Sequence, residues 1–150
     1  MKVVDPLEAF EKYKPEPCVI ILSSDESGKV NGMVASWNMK CSKNPPLFAI
    51  SVGNERHTKT FIKKSKEFVI AVPNKKMESI VRFLGENSGR DIDKHLFLEK
   101  ALVRAHKIKT PLLSEATVNM ECEVESQLIT GDHTIFVGRV VNATICPKKG

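Results

Sequence analysis

A short polar stretch carries the residue types that bind anions. It runs from Ser51 to Lys59 and is predicted to connect a buried strand to the start of a helix, where free backbone N–H groups favour an anion. Arg56 adds a guanidinium that can make two parallel hydrogen bonds to a phosphate. A capped surface helix with solvated basic side chains has the same composition, so the stretch alone leaves both interpretations open. The candidate residues are Ser51, Val52, Arg56, His57, Thr58 and Lys59.

A second stretch has the small residues that a flat ligand needs. Gly32, Ala35 and Ser36 lie near the end of a predicted strand, where they would let a planar aromatic group approach the backbone. An ordinary strand end with a packed tryptophan has the same composition, and composition alone favours that simpler interpretation. The candidate ligand-lining residues are Asn31, Gly32, Met33, Val34, Ala35, Ser36 and Trp37.

Two further side chains are candidates for catalysis. His133 lies in a predicted turn, where an imidazole can exchange a proton near neutral pH, although most turn histidines are simply exposed. Cys41 is a lone thiol between predicted strands, and nothing in the sequence around it indicates an activated thiolate. No two of the four cysteines form a C-x-x-C motif, and we predict no metal site.

The hydrophobic pattern predicts the elements that position these residues. Residues 19–22 form a continuous apolar run, as in a strand buried on both faces, and a turn at Gly28 makes it half of a hairpin. Residues 117–126 alternate, which predicts a strand with one dry and one wet face. The predicted strands span 18–23, 30–37, 47–52, 68–72, 117–126 and 134–145, the predicted helices span 5–13, 57–66 and 75–84, and residues 86–113 are expected to form short helical turns and loop.

The helices should pack on the strands through a few residues. Leu7 and Phe10 of the first helix are expected to face the core. Asn54 or Thr58 is expected to cap the second helix, and Gly85 is expected to end the third. Six strands with two or three short helices between them predict a mainly β, antiparallel barrel with helical insertions.

Length, composition and charge limit the kind of protein. A chain of 150 residues, 41% hydrophobic and 27% charged, predicts one globular domain across residues 1–150. The net charge of +5 comes mostly from scattered lysines, and a solvated surface is the simpler interpretation of them. Attraction of anionic ligands such as phosphates is the alternative, and the scatter of the basic residues argues against nucleic-acid binding. There is neither a signal-peptide core nor an apolar run near the ~20 residues that cross a bilayer. We therefore expect a cytoplasmic protein with reduced thiols and no membrane partner.

Several strings of the sequence, taken together, resemble the flavin reductase-like, FMN-binding split-barrel family. The strings are V-x-x-L-S-S followed by VNGMVASW (within 19–37), NPPLFAISV (44–52), R-H-T-x-x-x-I (56–62) and GDHTIFVGRV (131–140), and they occur in the family's order. The run SGRDIDK (88–94) is similar to the SGRD-x-DK run of the branch that includes flavoredoxins. The resemblance covers residues 15–146, which is most of the chain.

The resemblance implies a mainly β, Greek-key-like split barrel that forms a homodimer and holds FMN near the subunit interface. Residues 31–37 would line the isoalloxazine ring, partly through backbone groups. His133 matches the histidine that relatives place on the nicotinamide or acceptor side of the flavin. The phosphate would be held by Ser36, Arg56, Thr58 and Lys59.

The activity implied by the resemblance is reduction of the flavin by NADH or NADPH, with the protein binding and orienting the cofactor. The sequence has no G-x-G-x-x-G fingerprint, so a nicotinamide would stack on the flavin without a Rossmann domain. Three alternatives stay open. They are an electron carrier that takes electrons from another protein, a ferric-complex reductase that gives Cys41 and His133 a role, and a non-enzymatic FMN-binding protein.

Overall fold

Seven antiparallel strands form the main sheet in the described part of the chain. The computed structural model describes residues 1–13 and 17–146, apart from the side chains of residues 9 and 10. The strands are β1 (Val19–Ser24), β2 (Val30–Ala35), β3 (Asn38–Lys43), β4 (Pro46–Gly53), β5 (Glu67–Val72), β8 (Val118–Thr130) and β9 (His133–Ile145), and a small second sheet pairs β6 (Leu102–Val103) with β7 (Leu112–Leu113). The main sheet has the order β2-β1-β5-β8-β9-β4-β3.

The two edge strands of this sheet follow one another in the chain, which closes the sheet into a barrel. Only Ser36 and Trp37 separate the end of β2 from the start of β3. The Asn38 side-chain amide donates to the carbonyl oxygens of Ala35 at 3.1 Å and Pro17 at 2.9 Å, which fixes this connection. The order β5-β8-β9-β4 is that of a Greek key. The predicted mainly β, antiparallel barrel is therefore confirmed.

Four short α-helices lie outside the barrel in the described residues. They are α1 (Pro6–Glu11), α2 (His57–Ser65), α3 (Glu78–Glu86) and α4 (Lys94–Leu98), with 3-10 turns at Lys75–Met77 and Glu99–Ala101. The prediction that Gly85 ends α3 is wrong, because the side-chain amide of Asn87 binds the carbonyl of Phe83 at 2.8 Å and stops the helix after Glu86. Among the described residues no helix combines the length and the apolar character needed to cross a membrane.

The first helix buries less than predicted. Leu7 is 60% exposed, so the expectation that it faces the core is wrong, while the side chain of Phe10 lies outside the described residues. The Asp5 carboxylate accepts a hydrogen bond from the Leu7 N–H at 2.9 Å. The local hydrogen bond, rather than burial of Leu7, therefore supports the start of α1.

Strand β1 is buried on both faces, as its apolar run predicts. One face points into the barrel, where Ile21 packs with Phe68 and Phe136. The opposite face carries Ile20, which packs in a second cluster beneath α3 and α4. The sheet therefore separates a barrel interior from a helix-covered layer.

Two strands depart from the sequence prediction. β3 is not predicted at all, because it is mostly exposed and lacks a regular alternation. β8 continues to Thr130 instead of ending near residue 126, and its last residues pair only with β9. The predicted turn before β9 is confirmed and consists of Gly131 and Asp132.

The polar face of β8 is buried at Asn119 and Glu121 and exposed from Glu123 onward, so the prediction of a wet face is wrong for the first half of the strand. Glu121 is fully buried, and its Oε1 accepts hydrogen bonds from the backbone N–H groups of His106 at 3.0 Å, Lys107 at 2.6 Å and Ile108 at 3.3 Å. Its Oε2 accepts from the Asn142 amide at 2.6 Å. The connection between β6 and β7 covers this face and supplies the donors. Burial alone raises the pKa of Glu121, but these hydrogen bonds outweigh it and lower the pKa.

We expect Glu121→Gln to lower the free energy of unfolding by about 1.5–3 kcal/mol at neutral pH, because the hydrogen bonds that now reach a charged carboxylate would reach a neutral amide. Since the folded-state pKa lies below the ordinary 4.5, the contribution of the carboxylate is complete above that value and is lost as pH falls through the folded-state pKa. Urea unfolding at neutral pH and at about pH 3 measures this. Glu123→Gln, on an exposed position of the same strand, is the control. Equal losses in both variants would contradict the role of Glu121.

Candidate functional site

Three segments meet at one end of the barrel and enclose a cavity of about 640 Å³. They are the β2–β3 connection, the end of β4 and the turn between β8 and β9. The Ser51 N–H donates to the Trp37 carbonyl at 2.9 Å, and Gly53 pairs with His133 across β4 and β9. The lining includes Tyr13, Ser36, Trp37, Ser51, Asp132 and His133. The structure therefore brings three of the predicted segments together.

His133 is held on two sides within this cavity. Its Nδ1 lies 2.6 Å from the carboxylate of Asp132, and the rings of His133 and Trp37 have centroids 4.4 Å apart with a tilt of 33°. The hydrogen bond with His133, together with the charge of the imidazole, lowers the pKa of Asp132. An oriented imidazole beside an indole can contact a planar ligand in the cavity.

Asn54 joins the turn that carries His133 to helix α2. Its backbone N–H donates to the Asp132 carbonyl at 2.8 Å, and its side-chain amide donates to the Gly131 carbonyl at 3.3 Å. Its Oδ1 accepts from Lys59 Nζ at 3.2 Å and from the Thr134 hydroxyl at 2.7 Å. The position of the turn is thus fixed relative to α2.

Helix α2 is not capped in the predicted way. Arg56 occupies the N-cap position and makes no side-chain capping bond. Asn54 is engaged with the turn, and the hydroxyl of Thr58 accepts a hydrogen bond from the Asn31 amide at 2.7 Å. The expectation that Asn54 or Thr58 caps α2 is therefore wrong, because both side chains bond to other elements.

Arg56 and His133 face the same gap at the end of β4. A Cβ atom placed on Gly53 would lie 3.9 Å from Arg56 Nε, 3.3 Å from Arg56 Cγ and 3.9 Å from His133 Nε2. The absence of a side chain at Gly53 leaves this gap open between the guanidinium and the imidazole. The predicted anion site on α2 and the aromatic cavity are consequently adjacent.

The run SGRDIDK lies against the buried pair of Asn31 and Thr58. A Cβ atom on Gly89 would overlap the Asn31 side-chain oxygen and would lie 3.0 Å from His57 Cδ2. Only glycine fits at this contact without a shift of Asn31 or His57. The loop before α4 therefore closes over the start of α2.

Lys94 is a buried site residue that the sequence analysis did not select. Its Nζ donates to the carbonyls of Gly32 at 2.7 Å and Leu84 at 3.1 Å, and no carboxylate of the described residues pairs with it. Burial, followed by the nearby charge of Arg56, lowers the pKa of Lys94 from 10.5 to about 8. A cation in this position favours a bound anion. Lys94 is the last residue of the run SGRDIDK, which the sequence analysis noted, but nothing in that run shows that the lysine side chain is buried.

Several cations set the electrostatics around the start of α2. Burial is the main cause that lowers the pKa of His57, and the charges of Arg90, Lys29 and Lys94 add to it. These charges lie on different segments, so their convergence comes from the fold. A positive potential at a helix start is suited to a phosphate.

The side chains of several other predicted site residues pack away from the cavity. Met33, Ala35 and Val52 point into the barrel core, and Val34 packs toward the helices. Gly32 packs under α3, where a Cβ atom would lie 3.2 Å from Leu84. Because these side chains are occupied by packing, β2 can contact a ligand here through main-chain atoms.

Ser36 and Lys59 lie at the site in specific places. The Ser36 hydroxyl lines the cavity beside Trp37 and lies 3.6 Å from the Cys18 sulfur. Lys59 binds Asn54 through its ammonium group, as described above. The structure thus places Ser36 on the aromatic side of the site and Lys59 behind Asn54.

Cys41 lies apart from His133 within the chain. It occupies a bulge in β3 opposite the start of β4, between the pairs Lys40 with Phe48 and Ser42 with Leu47. His133 pairs with Gly53, which is five residues beyond Phe48 and thus roughly 17 Å further along the strand. The structure does not bring Cys41 into the cavity.

The chain matches the family model described as "Flavin reductase like domain" over residues 13–150. It is 31% identical to an FMN-binding protein from Thermus thermophilus, solved with bound 1-cyclohex-2-enone, with a TM-score of 0.84 over 97% of this chain and 79% of that chain. A flavoredoxin from Methanosarcina acetivorans is 25% identical, with a TM-score of 0.84 over 97% and 74% of the two chains. A ferric-chelate reductase (NAD(P)H) from Archaeoglobus fulgidus is 26% identical over 140 residues, 93% of this chain and 80% of that protein.

The chain therefore belongs to the flavin reductase like domain family, as its motifs indicated, and its barrel is the split barrel of that family. This membership defines the class as flavin-dependent oxidoreductases.

The lowered pKa of Lys94 gives a test of its buried charge. Folding disfavours the charged form, so a stability penalty is present below about pH 8 and fades as pH rises from about 8 to 10.5. We expect the ligand-free parent to gain thermal stability relative to Lys94→Gln across this window, and we expect phosphate to stabilise the parent more than the variant at neutral pH. Melting curves at about pH 7 and about pH 9.5, with Lys100→Gln as an exposed control, measure this. A Tm difference independent of pH would contradict it.

Proposed function

We propose that the chain binds FMN and catalyses its reduction by NADH or NADPH, after which an acceptor receives the electrons. The observation that carries the proposal is the shared gap at Gly53, where Arg56 of the anion site and His133 of the aromatic cavity meet. FMN has the same division, with a phosphate at one end and a planar ring at the other. When bound, the flavin supplies the hydride and single-electron chemistry.

The chemistry of the donor set fits a phosphate. Arg56 offers a fork of N–H donors, the N-terminus of α2 adds backbone N–H groups, and Thr58 adds a hydroxyl. The buried charge of Lys94 gains a counterion when an anion binds beside it. We propose that His57 and Lys59 support this end of the ligand, whereas Ser36, which was expected to hold the phosphate, contacts the ligand from the side of Trp37. A single cluster of cations, with no second phosphate motif in the sequence, favours FMN over FAD.

The aromatic side of the site fits a ring. Trp37 and His133 stand beside the cavity, and Ser51 connects β4 to the Trp37 backbone. We propose that residues 31–37 contact the isoalloxazine through main-chain atoms. His133 orients the nicotinamide donor or the acceptor by a hydrogen bond that involves its imidazole.

The names of similar proteins support both parts of the proposal. The Thermus thermophilus relative is described as FMN-binding, which supports the cofactor. The Archaeoglobus fulgidus relative is described as a ferric-chelate reductase that uses NAD(P)H, which supports a nicotinamide donor. The Methanosarcina acetivorans flavoredoxin keeps an electron carrier as the alternative.

The visible spectrum of the purified protein and steady-state oxidation of NADH and NADPH test the function. We expect bound oxidised flavin, identified as FMN by mass after heat release, and donor oxidation that depends on the protein. Recovery of FAD alone would contradict the choice of cofactor. Bound FMN without donor oxidation would favour the carrier or a non-enzymatic binder.

A ferric-complex reductase is tested by adding ferric chelates as acceptors. Because Cys41 lies far from His133 along β4, a shared role requires a second copy of the chain to supply the thiol. Unchanged chelate reduction by Cys41→Ser would remove this cysteine from the site.

We also propose that residues 1–150 form one domain that assembles as a homodimer in the cytoplasm. Beyond residue 124, one edge of β8 has no neighbouring strand among the described residues, and this edge carries Leu128 and Ile129, which are 62% and 66% exposed. A second copy of the chain would cover these apolar side chains. Cys41 and Cys122 form no disulfide, which fits a reducing compartment.

Replacing both residues, as in Leu128→Lys with Ile129→Lys, should shift the protein from dimer to monomer, because two charges cannot be buried in an apolar contact. Light scattering at micromolar concentration measures the mass. Val103→Lys, at another exposed apolar position, is the control. A parent protein that is monomeric with flavin bound would rule out the homodimer.

Arg56→Ala should weaken FMN binding roughly ten- to hundredfold, because a charge-assisted hydrogen bond to phosphate contributes about 1.5–3 kcal/mol. Riboflavin lacks the phosphate and should bind parent and variant equally. Fluorescence titration of both ligands measures this. If FMN affinity is unchanged, Arg56 is a surface residue outside the site.

His133→Ala should leave FMN affinity nearly unchanged and lower kcat/KM for reduction by about tenfold, since the imidazole contacts the donor rather than the phosphate. Stopped-flow reduction with NADH and NADPH measures the step. Equal rates for parent and variant with both donors would remove His133 from the mechanism.

A further inference from the structure

The contact between Asp132 and His133 determines which ring nitrogen carries the proton. The carboxylate lies 2.6 Å from Nδ1, and the lowered pKa of Asp132 keeps it ionised at neutral pH. An ionised carboxylate only accepts hydrogen bonds. Nδ1 must therefore be the donor in this pair, which leaves Nε2 of the neutral ring without a proton.

The surroundings of Nε2 are compatible with the same arrangement. Nε2 faces the gap at Gly53, and the guanidinium of Arg56 borders that gap. Arginine has N–H donors and no acceptor, so Arg56 does not oppose a lone pair on Nε2. The contact with Asp132 therefore selects the tautomer, and the Arg56 side is compatible with it.

Asp132 is exposed, but its backbone is fixed. Asn54 binds the carbonyl oxygens of Gly131 and Asp132, and the Thr130 hydroxyl donates to the His133 carbonyl at 3.1 Å. Trp37 packs on the imidazole ring. The pair therefore has a defined geometry even though solvent reaches the carboxylate.

We propose that Asp132 is a positioning residue that keeps the neutral His133 imidazole protonated on Nδ1, so that Nε2 presents a lone pair to the cavity. A lone pair binds a hydrogen-bond donor, such as the carboxamide NH₂ of a dihydronicotinamide, in preference to a carbonyl or carboxylate oxygen. The effect of Asp132 on catalysis rests on the proposed function. Its effect on the tautomer of His133 does not depend on that function.

The tautomer is measured by long-range ¹H–¹⁵N correlation of the histidine rings in the parent protein, with His133→Ala assigning the signals. We expect the ¹⁵N shifts of a ring protonated on Nδ1, and we expect Asp132→Ala to lose this single form. Glu125→Gln removes a negative charge from an exposed position in the same hairpin and should change nothing. A parent ring protonated on Nε2, or an unchanged ring in Asp132→Ala, would overturn the proposal.

Kinetics then test the link to catalysis. Asp132→Ala should leave FMN affinity unchanged and lower kcat/KM for the nicotinamide donor by up to about fivefold, the upper end of the range for an exposed charge pair. In the His133→Ala background, adding Asp132→Ala should have no further effect. A full effect without His133 would overturn the proposal. If the parent oxidises no NADH or NADPH, the proposed function fails, and the ring spectra still decide the role of Asp132.

Discussion

The buried ammonium of Lys94 is the constraint on which the site depends. It holds the carbonyls of Gly32 on β2 and Leu84 on α3, and its neighbours hold the same strand. Asp93 forms an ion pair with Lys29 at 3.7 Å, and His95 Nδ1 accepts the Val30 N–H at 2.9 Å. Helix α4 has only five residues, too few to be stable alone, so these contacts hold it against β2. The charge that fixes the scaffold also lies near Arg56, on the side where an anion site is predicted.

The barrel closure places the aromatic side of the site next to this charge. Because two residues connect β2 to β3, Trp37 is set at the point where opposite sheet edges meet. The register of β4 with β9 then aligns Gly53 with His133, and Asn54 fixes the turn. The site combines a rigid sheet end with the start of a helix.

The sequence predicted the elements whose pattern reflects their final surroundings. β1 is apolar on both faces because both faces are covered, and α2 begins at His57 as predicted. The pattern gave a wrong prediction where the segment that covers a strand is distant in sequence. Glu121 alternates with apolar residues and so was predicted to face solvent, but the N–H groups of residues 106–108 bind its carboxylate in the folded protein. Lys94 was missed for the same reason, because a lysine in a polar stretch gives no sign of burial. Arg56 and His133 come together because of the register between β4 and β9, and a single sequence does not reveal that register.

The free edge of β8 has a consequence for handling the protein. Beyond residue 124 no strand among the described residues pairs with this edge, and its backbone N–H and C=O groups, flanked by Leu128 and Ile129, form a template onto which an extended chain can add as a further strand. The addition of such a strand needs no prior unfolding of the barrel, so folded molecules that expose this edge can aggregate, and the loss of soluble protein should grow as the protein concentration rises.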